Sequence, residues 1–518
     1  MRVWFWLSLI AGVIGTQYLL WFTQVPLGIP GEWDWHRLEP EPDTGWNLLG
    51  AAMTAVLYMA FVAAGGRRLA RSMPGRQATV EVAVWLAGLV AVSFVWLWIV
   101  QESAPTTNRL GKSAFVLYYA NSSGYFSKIR YEHPDPQSFL KGYEQLMREG
   151  DVLHVGTHPP GLFLVFHSLI EVSQLPGLDG LLDATQPASF RDACNVIASN
   201  SVRSSLPRPF LPADRRVLWL ATLLVMAAAA MSVVPLYLLL RRTQEPSVAW
   251  WTASLWPAVP SVAIFVPKSD VAYALIGLLL VLAWLTAVDR KSVLLAFTAG
   301  VLTWCSLMLS LAFLPVILFT AILGSLSVSK SVVPGEAVHS ITGGVANYIP
   351  PVRCLVSGLA GLLIPTAFMG WYGVNLFAVW WLNYRNHAGF YAKYTRTYWE
   401  WLLINPIELT FAAGWPLQLV AVVGAVVALR TGLRTPVAHV VIAVSLVWGS
   451  LWLTGKNSGE AARLWIVFLP WLVWLAGAKL AEIERFDKNY GWIAPSMILE
   501  AQLATSVLTV ACVDGFKI

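Results

Sequence analysis

The chain has 518 residues, of which 57% are hydrophobic and only 12% charged. With a mean hydropathy of +0.60, that balance excludes an ordinary soluble domain. The formal net charge of +6 does not read as nucleic-acid binding, because in such a chain the placement of the basic residues carries more information than their sum.

Apolar stretches of roughly 18 or more residues recur along the whole length, the signature of membrane-spanning helices. The first runs from about Val3 to Phe22, with Arg2 before it and no small-residue cleavage site after it. It reads as a retained helix whose N-terminus lies in the cytoplasm. The loop from Thr23 to Gly45 sets Glu32, Asp34, Glu39, Glu41 and Asp43 against Arg37 alone, which assigns it outside. A second span near Trp46 to Ala64 returns to an inner loop with Arg67, Arg68, Arg71 and Arg76, and a third near Val80 to Val100 goes out again. The stretch 101–215 then reads as a long outer loop with one short apolar piece, Gly161–Val172. Twelve helical residues rise only about 18 Å against a hydrocarbon core of roughly 30 Å, so this piece dips in from the outer face.

The span near Val217 to Leu240 ends in Arg241-Arg242, an inner signal that keeps the parity. Later spans are expected near 247–266, 270–288, 292–309, 311–327, 353–372, 408–429, 436–453, 464–481 and 492–512. They place Arg290-Lys291, Lys330 with Arg353, Arg430 with Arg434, and Arg485 with Lys488 inside. The expectation is an all-α polytopic membrane protein of about 13 transmembrane helices, its C-terminus outside, with short re-entrant or juxtamembrane helices on the outer face. Three segments follow: an N-terminal hairpin (1–79), a transmembrane core with the long outer loop (80–330), and C-terminal helices with outer loops 373–407 and 454–463 (331–518). The four cysteines are widely spaced and form no zinc or redox pattern. Most of the 27 tryptophans read as interface anchors.

The unusual polar residues fall almost entirely on the outer side. Glu32 and Asp34 stand one residue apart between Pro30 and Arg37, flanked by Trp33 and Trp35. Paired carboxylates suit taking a proton from an incoming hydroxyl, or holding a divalent metal such as Mg²⁺ or Mn²⁺. A solvated loop that keeps its end of the hairpin outside explains them equally. His158 is locked beside Pro159-Pro160, and Lys268-Ser269-Asp270 opens a helix. Asn386, His387 and Arg396 lie in the 373–407 loop, and Lys456, Glu460 and Arg463 in the last outer turn. A lipid-linked phosphosugar would need such a set: Lys or Arg for the phosphate, with Lys268, Arg396, Lys456 and Arg463 as candidates, and amides, carboxylates or His for the hydroxyls. Snorkelling would explain Lys268 and Lys456, and helix capping would explain Ser269-Asp270, without any ligand.

Three of these pieces carry a resemblance. Thr157-His158-Pro159-Pro160-Gly161 resembles the Lys/His-Pro-Pro element of the GT-C superfamily of polyprenyl-phosphate-sugar-dependent glycosyltransferases. Ser269-Asp270 resembles its Thr/Ser-Asp turn, and the run from Leu295 to Leu314 its Gly-containing helix pair. The likeness covers roughly residues 100–330 and is nearest to the bacterial branch related to lipopolysaccharide-core transferases and protein O-mannosyltransferases. It implies inverting transfer of a sugar from a polyprenyl-phosphate donor to a lipid, glycan or protein acceptor, on the non-cytoplasmic face of a bacterial inner membrane. It also implies a catalytic acid on the first outer loop, which Glu32 and Asp34 fit. The family usually carries that acid and the His-Pro-Pro element in one loop, whereas here they are in two. If residues 1–79 are an added hairpin, the acid would instead be Glu102 or Glu132. A transporter or flippase of a lipid-linked or polar substrate is the competing reading. It calls for intramembrane charges and often inverted repeats, and few such charges and no repeat are visible. An inactive membrane protein of the same fold is a third.

Overall fold

A computed structural model describes residues 3–71, 76–203, 209–328, 350–456, 458–486 and 492–516. Arg2, Lys330 and Lys488, used above to assign sides, lie outside the described residues. The chain is almost wholly helical. Among the described residues nine helices are long and apolar enough to cross a membrane: Val3–Phe22, Thr44–Leu69, Thr79–Glu102, Pro212–Leu240, Ser269–Arg290, Val352–Trp371, Pro436–Leu453, Ile466–Arg485 and Ile493–Cys512. Each falls on an expected span. Their outward faces keep large apolar side chains exposed, among them Trp4, Ile14, Met53, Val84 and Val356, as a lipid-facing surface requires.

The other four expected spans are shorter or broken. The stretch expected to cross at 247–266 is cut into Pro246–Ala253, a 3₁₀ turn Trp256–Ala258 and Pro260–Ile264. Pro257 and Pro260 cannot continue the helical ladder, and the whole stretch is buried among other helices. Val293–Leu309 has 17 residues and Leu314–Val328 has 15, parted by the extended Ser310 and a single 3₁₀ turn. The span expected at 408–429 runs across a break. Tyr398–Ala413 and Trp415–Arg430 meet at 110° around Gly414, whose φ of +83° suits glycine. The Gln502 side chain closes this corner, donating to Ala413 O at 2.7 Å and Ala258 O at 3.1 Å and accepting from Leu417 N at 3.0 Å.

Packing depends on small residues where helices touch. A Cβ on Gly300 would meet Gly358 O at 2.0 Å, and one on Gly361 would meet Phe297 O at 2.2 Å. Val293–Leu309 and Val352–Trp371 therefore pack backbone to backbone, as transmembrane helices do at small residues. The N-terminal hairpin shares the same packing: Trp250 Nε1 donates to Val62 O at 2.8 Å.

The expected long outer loop is largely helix as well, with Pro136–Arg148, Gly161–Val172, Leu178–Thr185 and Ala188–Arg203. Arg130 binds Asp214 at 2.5 Å and Arg216 binds Asp183 at 2.6 Å, fastening this layer to the Pro212–Met231 helix. Two short ladders among the described residues lie beside it. Gly28–Ile29 pairs with Trp33–Asp34, and His36–Arg37 pairs with Val513–Asp514. The first hairpin loop and the end of the last long helix thus lie at one end of the bundle.

Candidate functional site: two cavities joined at a cationic neck

At that end two cavities meet. One, of about 280 Å³, is an apolar arm between Gly161–Val172, Pro212–Met231 and Ser269–Arg290, walled by Leu162, Phe166, Leu169, Leu224 and Ile276. The other, of about 290 Å³, is a polar arm walled by Trp33, Asn121, His387, Tyr391, Arg396 and Glu460. His154, His158, Lys268, Arg463 and Leu464 line both and form the neck between them. At least seven chain segments, remote in sequence, supply these walls.

The histidine segment is built by its neighbours. Asp151 accepts from the backbone N–H groups of Leu153, Val155 and Gly156, each at 3.1 Å, winding the short turn that carries His154. Asn383 donates to Gly156 O at 2.9 Å and His158 O at 3.1 Å, and Tyr143 donates to His158 O at 2.6 Å. Gly161 must be glycine, since a Cβ there would lie 2.4 Å from Met308 O. His158 Nδ1 sits 3.1 Å from His154 O. A carbonyl only accepts, so Nδ1 carries the proton and Nε2 is left as an acceptor. Burial pushes the His158 imidazole down to about 3 and the cations Lys268 and Arg463 push the same way, so it stays neutral near pH 7. Burial lowers His154 as well, again helped by Lys268 and Arg463.

Lys268 is 6% exposed, and its ammonium donates to Ser122 O. Burial pulls it down to about 7 and Arg463 adds to this, against Asp270 and Glu460. Arg463 pairs with Glu460; burial opposes its charge, but Glu460 and Asp270 outweigh burial and keep it cationic. Glu460 adopts a left-handed backbone, φ 59°. The turn it belongs to is held from below by Glu408, which accepts from Ala462 N at 3.1 Å and Trp35 Nε1 at 3.3 Å. Asp270 stands in the first turn of Ser269–Arg290 and lines the apolar arm at its polar end.

Of the residues expected from sequence, His158, Lys268, Asp270, His387, Arg396, Glu460 and Arg463 line the joined cavities. Asn386 does not. Its amide donates to Met147 O and Gly156 O, both at 2.9 Å, and serves the histidine segment from outside. Lys456 also lies outside, its ammonium 5.6 Å from the Tyr384 ring centre. The acidic pair is separated in role. Trp33 faces the polar arm and Trp35 is buried beneath it, while Asp34 between them lines neither arm. The Glu32 carboxylate accepts from Thr397 N at 2.9 Å, the Thr397 hydroxyl and Trp401 Nε1 at 2.6 Å. Partial burial raises the Glu32 carboxyl, but those bonds and the Arg396 charge outweigh it and leave the group more acidic than usual. Among the described residues no three His, Cys, Asp or Glu side chains gather as metal ligands would. Of the two alternative acids, Glu102 accepts from Ser189 Oγ at 3.0 Å and Leu110 N at 3.2 Å, and Glu132 pairs with Lys128 at 2.6 Å.

His154, Trp33 and Glu408 are among the site residues that sequence reading did not single out. The four-residue step from His154 to His158 was a usable signal; Glu408, inside an apolar helix, gave none beyond being a charge where few occur. No protein-family model and no curated protein matches the chain. Chemically, the site fits an amphiphile whose tail fills the apolar arm, whose anionic group rests on Lys268 and Arg463, and whose polar head enters the second arm.

Proposed function

We propose that the chain is an integral membrane glycosyltransferase that moves a sugar from a polyprenyl-phosphate donor to a lipid, glycan or protein acceptor. The single observation that carries this reading is the cationic neck between an apolar and a polar arm. A polyprenyl tail suits the first arm, a phosphate suits the neck, and the sugar and its acceptor suit the second. In this reading the short and broken apolar elements join the nine long helices to give about 13 crossings. The basic loops Arg67–Arg71 and Arg430–Arg434 lie in the cytoplasm, and the site faces the opposite side of a bacterial inner membrane.

The acceptor oxygen attacks the anomeric carbon, the bond from that carbon to the phosphate oxygen breaks, and the lipid phosphate leaves with the electron pair. Lys268 and Arg463 stabilise the charge that grows on the leaving phosphate. The hydroxyl proton passes to a carboxylate. We assign that role to Asp270, which lines the apolar arm two residues on from Lys268 of the neck, in place of Asp34. The polarity of the neck disfavours a simple lipid chaperone, which would need no acid beside its cations. The test is release of labelled sugar from a polyprenyl-phosphate sugar by the purified chain. Turnover lost in Asp270→Asn and kept in Asp34→Asn supports the assignment. No release by the intact chain with any such donor, despite bound lipid, defeats the proposal.

A further inference from the structure

The polar arm extends well beyond the neck, and its far wall holds a cation of its own. Arg396 lines only the polar arm. Its Nη1 donates to the backbone carbonyls of Glu32 at 2.8 Å and Thr395 at 3.4 Å. Its Nε is buried without a partner, pressed toward Gly459, where a Cβ would stand 3.0 Å from it. Nη2 takes part in none of these bonds. Glu32 gives Arg396 its carbonyl and turns its carboxylate to Thr397 and Trp401. Among the described residues no carboxylate forms an ion pair with Arg396, whereas Arg463 at the neck has Glu460. The guanidinium carbon lies 5.8 Å from the Phe390 ring centre, which steadies its plane. A guanidinium fixed through Nη1 and buried at Nε, with Nη2 left open, is suited to one charge-assisted bond to a carboxylate or phosphate.

The rest of that wall suits a ring with hydroxyl groups. Trp33, Phe390 and Tyr391 give flat apolar faces, and His387 and Asn121 give groups that both donate and accept. Burial lowers the His387 imidazole, with the Lys456 charge adding to this, so at neutral pH His387 does not compete as a cation.

We propose that the polar arm receives a sugar ring bearing an anionic substituent, a carboxylate or a phosphate, held by Arg396. That the occupant is a sugar rests on the glycosyltransferase reading; that it is anionic rests on Arg396. The ring belongs either to the donor, as the group transferred, or to the acceptor.

The experiment uses the full chain in phosphatidylcholine nanodiscs and compares binding of methyl glucuronide with methyl glucoside. The wild type is expected to bind the glucuronide at least about tenfold more tightly, the lower end of what one charge-assisted bond gives, and Arg396→Gln to bind the two alike. Arg396→Lys, which keeps the charge without the fork, should keep part of the preference and serves if Arg396→Gln does not fold. Equal binding of both probes by the wild type overturns the proposal, as does an undiminished preference in Arg396→Gln. A polyprenyl-phosphate sugar with a neutral ring is then added. Displacement of the glucuronide supports the proposal with the anionic ring on the donor, and continued binding supports it with the ring on the acceptor. Binding needs no turnover, so a chain that prefers the glucuronide yet releases no sugar sinks the glycosyltransferase reading and leaves the anion seat standing.

Discussion

Replacing Lys268 by Met keeps the length of the side chain and removes its charge. The residue is 6% exposed, and its ammonium donates to Ser122 O beside both cavities. Loss of one charge-assisted contact to phosphate should cost about 1.5–3 kcal/mol, roughly 10- to 150-fold in donor affinity. The pH at which this is measured decides what is seen. Burial has brought the lysine down to about 7, so the free site loses its charge as pH rises through that value. A polyprenyl phosphodiester holds one negative charge throughout the range, so any titration belongs to the protein. Donor affinity of the wild type should therefore be flat below about pH 6 and fall by up to about tenfold per unit above pH 7, until the pKa of the bound state is reached. Lys268→Met should be weak and independent of pH. In the donor-free protein the sign reverses: the folded pKa lies below the unfolded one, so this group adds stability at high pH that is lost as pH falls through about 7. Equilibrium binding of labelled donor in nanodiscs from about pH 5.5 to 8.5 reads both effects. A wild-type profile without a bend near neutrality, or a Lys268→Met variant with the same bend, would refute the role given to this lysine.

Three further outcomes are expected. Asp270→Asn should lower turnover by about 10²- to 10⁴-fold with donor binding largely kept, whereas Asp34→Asn should change turnover little; single-turnover sugar release separates the two. Glu408→Leu should weaken donor binding by roughly the 1–3 kcal/mol that an unmade buried hydrogen bond costs, because Ala462 N and Trp35 Nε1 lose their acceptor and the turn carrying Arg463 loosens. Glu408→Gln, which can still accept from Ala462 N, should restore most of the affinity; equal losses in both variants would point to charge instead of position. Cysteines placed at the exposed positions Glu39, Glu149 and Glu400 should react with an impermeant reagent from outside, and those at Arg71, Arg241 and Arg434 should not. Labelling of the Arg71 position from outside would invert the assigned sides.

The nine long helices were legible because a run of apolar residues is a local property of the chain. The corner at Gly414 was not, since the group that closes it is Gln502, almost 90 residues further on. The breaks within the Pro246–Ile264 stretch were hidden for a related reason: a piece buried in protein needs apolar residues as much as a lipid-facing span does, and only its prolines hinted at them. Helices such as Pro136–Arg148 escaped because their one-sided apolar stripe gives no continuous run. At the site, sorting residues by expected side gathered His158, Lys268, Arg396 and Arg463, which do line the joined cavities. It could not tell a lining residue from a tether. Glu32 and Asn386 have the chemistry of ligands and spend it on Thr397, Trp401, Met147 and Gly156 instead.

The corner at Gly414 also acts as a lever. Tyr398–Ala413 is anchored at its C-terminal end by Gln502 and at the other by Glu32 on Thr397 and Trp401. Its 16 residues span about 24 Å, so a tilt of about 5° at the corner swings the far end by about 2 Å, more than a catalytic contact tolerates. Arg396 and its neighbours ride on that far end. A side chain buried among helices at Gln502 thus sets the calibre of a cavity it never touches, and drift at this position could retune which head groups the polar arm admits while every residue lining it stays the same.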